Sequence, residues 1–377
     1  MQGLKQLTAD HQELVSIRLS YCPAVTDQVV DGFLSLPALR ELVICHSTAL
    51  CGGAVWRRLP TARLAALDLS SCLRLTDYGA KCILERAGRD LRSLKLRACA
   101  GLTDRFLEQL VDLCPLLSTL DLSGCAGLTA DGFSGLRRLP LEHLILQSLN
   151  YSAVQPALSE IVKQNRLVSL YISYSEVGSP EDIASVAGLC SSLQHLLMAG
   201  RKQTDLQEPW SLNLRCPRLK TLSIKCCDQV SEASILEFAR THHQLEYLDL
   251  SKTNIGDSVL IEIVRHNPNL RQVYLLGCRD ITDLSIRALV TGAPGLKELN
   301  LKATRATDGG LLELRSARFL TYLTCDTVTD QTRAILMKEC ARIQNIQSFP
   351  LSPYTPSTTR FESFSGNDFE DETDNSD

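Results

Sequence analysis

The chain has 377 residues, of which 44% are hydrophobic and only 5% aromatic, and it carries a formal net charge of −4 at pH 7. This hydrophobic content is sufficient for a large buried core. A negative net charge does not favour binding to nucleic acid, and no run approaches 18 apolar residues, so we expect neither nucleic acid nor a membrane among the partners.

The chain contains 15 cysteines, an odd number that cannot pair completely within one molecule. The segment from Met1 to Leu7 has no apolar stretch of signal-peptide length. We therefore expect the protein to stay in the cytoplasm, with the nucleus as the alternative, where a reducing environment keeps thiols free.

A single pattern of leucines recurs along most of the chain. It reads L-x-x-L-x-L-x-x-C and is followed by a Thr-Asp pair and a helical stretch, as in LRSLKLRACAGLTDRFLEQLVDLCP from Leu91. We number the positions of each repeat from its first leucine. The starts recur at nearly constant intervals, a register that chance does not maintain over most of a chain. The 13 starts are Leu14, Leu39, Leu64, Leu91, Leu117, Leu141, Leu167, Leu193, Leu219, Leu245, Leu270, Leu296 and Leu320.

The spacing within one repeat predicts a short strand followed by a helix. Positions 4 and 6 are two residues apart and therefore point to the same inner face of a strand, while positions 3, 5 and 7 point outward. The later half of a repeat, such as Phe106 to Val111, has the spacing of an amphipathic helix. Because one repeat cannot bury its apolar side alone, we expect an α/β solenoid with parallel strands on a concave face and helices on a convex face.

Signals for helix starts and ends accompany the repeats. We interpret the threonine of each Thr-Asp pair as a helix N-cap whose hydroxyl accepts a first-turn N–H, and the aspartate as a favourable charge at the positive end of the helix dipole. Prolines just before the next repeat, such as Pro115 and Pro217, predict a return to extended geometry. The pairs begin at Thr26, Thr76, Thr103, Thr282, Thr307 and Thr329.

Six cysteines share position 9 of their repeats, and we interpret them as small residues that pack in the turn after the strand. One alternative is a metal site, for which Cys226-Cys227 and His242-His243 are the candidates, and another is redox regulation. The cysteines keep the spacing of the repeat rather than C-x-x-C spacing, so we expect no metal and no cofactor. The six are Cys22, Cys72, Cys99, Cys125, Cys227 and Cys278.

From residue 4 to about residue 348, the length of the repeat, the cysteine position and the L-T-D element resemble the cysteine-containing leucine-rich repeats of the F-box/LRR family. The resemblance implies a leucine-rich-repeat horseshoe that captures a protein substrate for a Skp–cullin–F-box (SCF) ubiquitin ligase. Only the short segment from Met1 to Glu13 precedes the first repeat, so we predict no F-box in this chain, which is also similar to the F-box-less mitotic-exit antagonist group. The alternative function is a leucine-rich-repeat adaptor or scaffold that acts independently of ubiquitin.

Catalytic motifs are not apparent. The chain has no G-x-S-x-G, no phosphate-binding glycine loop and no H-E-x-x-H. We therefore expect a protein-binding monomer rather than an enzyme, with SCF components as further partners if the resemblance extends to assembly.

The outward strand positions of the middle repeats are apolar where other repeats carry polar residues. Position 5 is Ile145, Tyr171 and Leu197 in three successive repeats, with His143 and His195 at position 3. Adjacent strands lie about 4.8 Å apart, so these residues predict an apolar stripe of the kind that marks an interaction site. The alternative is that these repeats, which also lack the cysteine, have degenerated and that their register is shifted. A second group that could anchor a partner is Tyr247, Tyr274, Leu276 and Tyr322.

Charges alternate at position 5 of the preceding repeats, through Asp68, Lys95 and Asp121. Opposite charges on adjacent strands stabilise a sheet when they face each other. We therefore predict cross-strand pairing there rather than contact with a partner.

The repeat stops at Phe349, and the segment from Ser357 to the end contains seven acidic residues and one arginine. We predict a leucine-rich-repeat domain over residues 1–348 and a disordered acidic tail over residues 349–377. The alternative is a regulatory arm that enters the concave face through Phe349, Phe361, Phe364 or Phe369.

Overall fold

The structure, a computed structural model, describes residues 11–23, 25–52, 63–149, 151–164, 167–173, 187–199, 209, 211–326, 328–340, 342–343 and 345–348. Within them, fourteen strands form one parallel sheet in which each strand pairs with its neighbours in sequence. The strands are β1 (Ser16–Ser20), β2 (Glu41–Cys45), β3 (Ala66–Asp68), β4 (Ser93–Lys95), β5 (Thr119–Asp121), β6 (His143–Ile145), β7 (Ser169–Ser173), β8 (His195–Ala199), β9 (Thr221–Ser223), β10 (Tyr247–Asp249), β11 (Gln272–Tyr274), β12 (Glu298–Asn300), β13 (Tyr322–Cys325) and β14 (Asn345–Ser348).

The described part of the chain also contains ten α-helices, and helices of consecutive repeats pack against each other where both are described. Three short 3-10 segments, Gly88–Asp90, Gly135–Arg138 and Leu314–Ser316, follow helices. The helices are α1 (Asp27–Leu34), α2 (Asp77–Ala87), α3 (Asp104–Leu113), α4 (Ala130–Ser134), α5 (Tyr151–Gln164), α6 (Glu232–Thr241), α7 (Asp257–His266), α8 (Asp283–Gly292), α9 (Asp308–Glu313) and α10 (Asp330–Glu339).

The number of repeats is one higher than the leucine pattern predicts. The final strand β14 belongs to a fourteenth repeat that starts at Ile343 and has Ile346 at position 4, and both side chains are buried. The sequence pattern misses this repeat because isoleucine replaces leucine and position 9 holds no cysteine.

The core is a continuous column of apolar side chains between the sheet and the helices. The residues at position 4 face one another along the sheet, as in Leu94, Leu120 and Leu144, and all three are fully buried. Strands are spaced about 4.8 Å apart, whereas helices need about 10 Å, so the two layers fit together only if the stack curves with the strands on the inside. The predicted solenoid with parallel strands and outer helices is confirmed.

A left-handed residue follows the strand in every repeat whose position 8 lies in the described part of the chain. The φ angles there range from 53° to 76°, although only two of these residues are glycines. For residues other than glycine the left-handed conformation costs roughly 1–2 kcal/mol, so contacts made by the turn must offset this cost. It does so because the position-8 N–H donates to the next repeat, for example from Ala98 to the Ser123 carbonyl at 2.7 Å. The residues are Tyr21, His46, Ser71, Ala98, Gly124, Ser148, Cys226, Lys252, Gly277 and Ala303.

An aspartate–threonine ladder connects successive repeats where the helices begin. The Asp77 carboxylate accepts two hydrogen bonds from Thr103 of the next repeat, at 2.8 Å from the N–H and 2.5 Å from the hydroxyl. Each aspartate thus satisfies polar groups of the neighbouring repeat with a charged acceptor. The same bidentate arrangement joins Asp104 to Thr129, Asp257 to Thr282 and Asp283 to Thr307. Asp308 accepts both hydrogen bonds from Thr329 at a single oxygen, Oδ2.

This ladder corrects the interpretation of the threonines as side-chain caps. The threonine occupies the N-cap position, but the hydroxyls of Thr26, Thr103 and Thr307 make no cap hydrogen bond. The Thr103 and Thr307 hydroxyls instead donate to the aspartate of the preceding repeat. Only Thr76, Thr282 and Thr329 accept a first-turn N–H as expected.

The second repeat uses a cysteine and a glycine in place of Thr-Asp. The Asp27 carboxylate accepts hydrogen bonds from the N–H and thiol of Cys51, at 3.1 and 3.0 Å, and from the N–H of Gly52 at 2.9 Å. Gly52 has φ +73° and lies against Gly79 at the start of α2, where the two backbones touch. This close approach requires glycine at both positions.

Candidate functional site

The predicted apolar stripe lies on three adjacent strands in the expected register. Ile145 of β6 is paired with Tyr171 of β7, which is paired with Leu197 of β8. Polar residues end the stripe on both sides, because Asp121 pairs with Ile145 and Ser223 pairs with Leu197. The register of the middle repeats is therefore not shifted, and the three side chains share the concave side of the sheet.

The stripe is less exposed than the sequence suggests. Only 7% of Ile145 is exposed, whereas Tyr171 and Leu197 are half-buried. Strands at the inside of a curved stack bring outward side chains together, so a large residue shields its neighbours. Tyr171 and Leu197 therefore form the accessible part of the stripe.

Two histidines border the stripe and bond to hydroxyls on the next strand. His143 Nδ1 lies 2.9 Å from Ser169 Oγ, and His195 Nδ1 lies 2.9 Å from Thr221 Oγ1. Burial lowers the pKa of both imidazoles below the ordinary histidine value, so both rings are neutral at pH 7. The stripe thus has neutral hydrogen-bonding groups along one side.

The second predicted group divides into a buried pair and two accessible residues. The rings of Tyr247 and Tyr274 lie 5.3 Å apart and are both buried, and the Tyr274 hydroxyl donates to Glu298 Oε2 at 2.5 Å. Burial raises the pKa of both phenols, which remain protonated donors. Leu276 is half-buried and Tyr322 is 48% exposed, so these two are the side chains of the group that a partner would reach first.

The cross-strand pairing predicted for Asp68, Lys95 and Asp121 is found in the register, because Lys95 is the partner of both aspartates, but it includes no salt bridge among the described residues. Asp68 accepts the N–H of Ser70 at 3.0 Å, and Asp121 accepts the N–H and the hydroxyl of Ser123 at 2.9 and 2.6 Å. Among the ion pairs of the described residues, none joins Lys95 to either aspartate. The carboxylates instead satisfy backbone groups where the strand ends.

The position-9 cysteines connect neighbouring turns through weak hydrogen bonds. The Cys99 thiol lies 3.3 Å from the Leu69 carbonyl of the preceding repeat, and the Cys125 thiol lies 3.0 Å from that of Leu96. Burial raises the pKa of Cys125 to about 12, so the thiol stays protonated and donates. All 15 cysteines are free thiols, and no group of three or more His, Cys, Asp or Glu side chains in the described segments is arranged to hold a metal ion.

Replacing Cys125 by leucine is expected to lower the free energy of unfolding by about 2 kcal/mol, because the turn has no space for the larger side chain. Serine keeps a donor of similar size, so Cys125→Ser is expected to cost less than about 1 kcal/mol. Urea denaturation of the two variants measures the difference. A chelator that lowers the stability of the native protein as much as the leucine does would contradict the packing role.

The comparisons with known proteins identify the repeat. A Leucine Rich repeat family model matches residues 241–263, which cover the end of α6, β10 and most of α7. The structure is similar to a chain in the crystal structure of the Rad7 and Elc1 complex of yeast, with a TM-score of 0.58 at 16% identity over 92% of this chain and 83% of that one.

The fold is that of a leucine-rich-repeat protein.

A second structural neighbour of this leucine-rich-repeat chain is an internalin (inlF) from Listeria monocytogenes, with a TM-score of 0.52 at 16% identity over 85% of this chain and 93% of that one. The common feature of the three is the solenoid itself.

Two of three curated relatives carry F-box names. F-box/LRR-repeat protein 4 of Bos taurus is 26% identical over 219 residues, or 56% of this chain and 31% of the relative. The BTB/POZ domain-containing protein FBL11 of Arabidopsis thaliana is 28% identical over 51% of this chain and 19% of the relative. F-box protein SKIP17 of the same plant is 28% identical over 50% of this chain and 40% of the relative. The matches therefore span less than half the length of each relative.

Among the described residues, no helix is long and apolar enough to cross a bilayer.

Proposed function

We propose that this leucine-rich-repeat chain is a protein-recognition platform whose concave face holds a partner at β6 to β8, and that it acts as a substrate receptor of an SCF-type ubiquitin ligase in the cytoplasm or nucleus. The observation that carries the recognition role is the bounded stripe of Ile145, Tyr171 and Leu197. A half-buried tyrosine and leucine beside hydrogen-bonding histidines are suited to anchoring a partner, since aromatic residues contribute strongly to binding at small entropic cost. The remaining predicted contacts, Tyr247, Tyr274, Leu276 and Tyr322, extend the same face toward the C-terminus.

The ubiquitin link rests on a resemblance rather than on this surface. Two of the relatives are named F-box and F-box/LRR-repeat proteins, which supports a role in ubiquitin ligation. The matches cover at most 40% of those relatives, so their assemblies do not follow from the repeats alone. An adaptor that uses the same concave face without ubiquitin is the competing function.

The double variant Tyr171→Ser with Leu197→Ser tests the recognition surface. We expect it to reduce partner capture by roughly 30-fold, which corresponds to about 2 kcal/mol for the loss of an anchor. The midpoint temperature of thermal unfolding should change by only a few degrees, because both side chains are half-buried and lie outside the core. Ile145 is left intact because its burial would confound the result.

The matched control is Tyr21→Ser with Leu73→Ser, which makes the same substitutions at side chains that are 70% and 60% exposed on the edge of the N-terminal repeats. Both variants and the native chain are used to purify partners from cells with and without a proteasome inhibitor. Capture that falls equally in both variants, or a strong loss of stability with retained capture, would contradict the concave site. If the proteasome inhibitor does not change the amount of captured partner, and no SCF component is purified with it, the result would favour the ubiquitin-independent function.

A further inference from the structure

The residues at position 2 form a column along the edge of the sheet where the strands begin. The carbonyl of each position-2 residue accepts the N–H of position 2 in the next repeat, for example from Lys220 to Gln194 at 2.8 Å and from Lys297 to Arg271 at 2.7 Å. These hydrogen bonds continue from Val15 to Thr321 and hold the column in register. Side chains that are one repeat apart in sequence thus become neighbours on one edge.

Five cations lie at or just before this edge between β9 and β13, and we call them the basic rim. Lys220, Arg271 and Lys297 occupy position 2, and Arg218 and Arg318 lie one and two residues before the first leucine of their repeats. Lys220 is half-buried and the other four are exposed. Four inter-strand steps of about 4.8 Å place them within roughly 20 Å of one another along the stack.

The basic rim is largely uncompensated. Among the described residues, its ion pairs within 4 Å amount to one contact of 3.9 Å between Arg271 and Glu246. In the sequence of the five repeats that start at Leu219 to Leu320, Glu246 is the one acidic residue at position 2. Exposed cations held this close together repel each other and create a local positive potential, even though the whole chain has a net charge of −4.

We propose that the basic rim binds an acidic segment of a separate protein partner. Three of the five cations are arginines, whose planar guanidinium groups match carboxylates in a bidentate manner. A nucleic-acid strand fits less well, because Glu246 interrupts the column and the net charge of the chain is negative. An extended segment of about six residues spans the roughly 20 Å of the rim.

This surface is separate from the apolar stripe, so the two proposals can fail independently. The stripe projects from positions 3 and 5 of β6 to β8, whereas the rim lies at the beginning of β9 to β13. Variants of one surface leave the residues of the other unchanged.

The probe is a fluorescein-labelled peptide with six consecutive glutamates, and its affinity for the full chain is measured by fluorescence anisotropy. A peptide with six glutamines and a single-stranded thymidine oligonucleotide with six phosphates serve as comparison ligands. We expect the glutamate peptide to bind more tightly than both. Lys220→Glu with Lys297→Glu should weaken its binding by about tenfold or more, because two favourable charges become two unfavourable ones.

The matched control is Lys252→Glu with Arg279→Glu, which changes the net charge equally at exposed residues beyond the other end of the strands. Binding within twofold of the native chain is expected for this control. Lys220→Gln with Lys297→Gln provides a milder rim variant should the charge reversal disturb folding. Equal losses in rim and control variants, equal binding of glutamate and glutamine peptides, or tighter binding of the oligonucleotide would overturn the proposal.

The acidic C-terminal segment of the same chain offers similar chemistry, and a further variant separates the two sources. Its seven acidic residues after Ser357 are replaced by the corresponding amides in the full chain. Affinity for the glutamate peptide within twofold of the native value is expected if the rim serves a separate protein. A gain of more than fivefold would show that the chain's own acidic end occupies the rim and would overturn the assignment to a separate partner.

Discussion

Replacing Asp257 by alanine is expected to lower the free energy of unfolding by about 2–3 kcal/mol. The Asp257 carboxylate accepts hydrogen bonds from the N–H and hydroxyl of Thr282, at 2.9 and 2.6 Å, and from the hydroxyl of Ser285 at 2.5 Å. Alanine leaves these donors without their charged acceptor and uncouples two repeats. Urea denaturation, monitored by circular dichroism, measures the loss.

Asp330 is the matched control because it is the first residue of a helix, as Asp257 is, but is exposed and accepts no hydrogen bond from another repeat in the described part of the chain. Asp330→Ala should therefore remove only the helix-dipole interaction, worth about 0.5 kcal/mol. Similar losses in the two variants would show that the ladder contributes nothing beyond helix capping.

The same carboxylate predicts how this stability depends on pH. Partial burial raises the pKa of Asp257, but the hydrogen bonds from Ser285 and Thr282 outweigh it and lower the pKa on balance. An acid whose pKa is lower in the folded state stabilises the fold at pH values above its unfolded pKa of about 4. The contribution is lost as pH falls below that value and through the lowered folded pKa. The difference in stability between native protein and Asp257→Ala should accordingly shrink under acidic conditions.

Gly79→Ala is expected to cost about 3 kcal/mol, although alanine is normally the better helix former. A Cβ atom at this position would overlap the Cys51 carbonyl oxygen and lie 3.0 Å from the Cα of Gly52, so the backbone of one repeat would have to move. The thermal unfolding midpoint and the urea midpoint should both fall.

Gly295 provides the contrasting substitution. A Cβ atom there meets no other atom within 4 Å, and its φ is not in the left-handed region. Gly295→Ala should leave stability unchanged or raise it by up to about 1 kcal/mol through the unfolded state. A Gly79→Ala variant as stable as the native protein would mean that the second and third repeats can move apart without a loss of stability.

The periodic part of this architecture is predictable from the sequence, because position 4 and position 6 leucines report directly on burial. The register of β6 to β8 follows from the same pattern even though those repeats lack the cysteine. The fourteenth repeat is missed because Ile343 and Ile346 carry the pattern without leucine.

Other features depend on neighbours that the pattern does not show. The left-handed position 8 is not apparent, since residues as different as Tyr21, Ala98 and Lys252 occupy it. The burial of Ile145 results from the side chains on the adjacent strands. The threonines of the ladder look like helix caps until the aspartate of the preceding repeat is placed beside them.

Of the two candidate surfaces, one can be predicted from the sequence and the other cannot. The apolar stripe can be predicted because its members share one position in consecutive repeats. The basic rim cannot be read from local composition, because Lys220 and Lys297 belong to repeats that are far apart in sequence and only the stacking of repeats brings their edge together. Whether either surface binds a partner stays a prediction.

The aspartate–threonine ladder couples some repeats more strongly than others. The stability of a repeat array is approximately a sum of individual repeat terms and nearest-neighbour couplings. Three consecutive rungs couple the four repeats that start at Leu245 to Leu320, so this block should open as one cooperative unit. Thr129 is followed by Ala130, so no aspartate carries the ladder from the fifth repeat into the sixth, immediately before the apolar stripe. The junction between the fifth and sixth repeats, which no rung joins, is therefore expected to flex more readily than the C-terminal block, which lets the region around Tyr171 and Leu197 adjust its curvature to a partner.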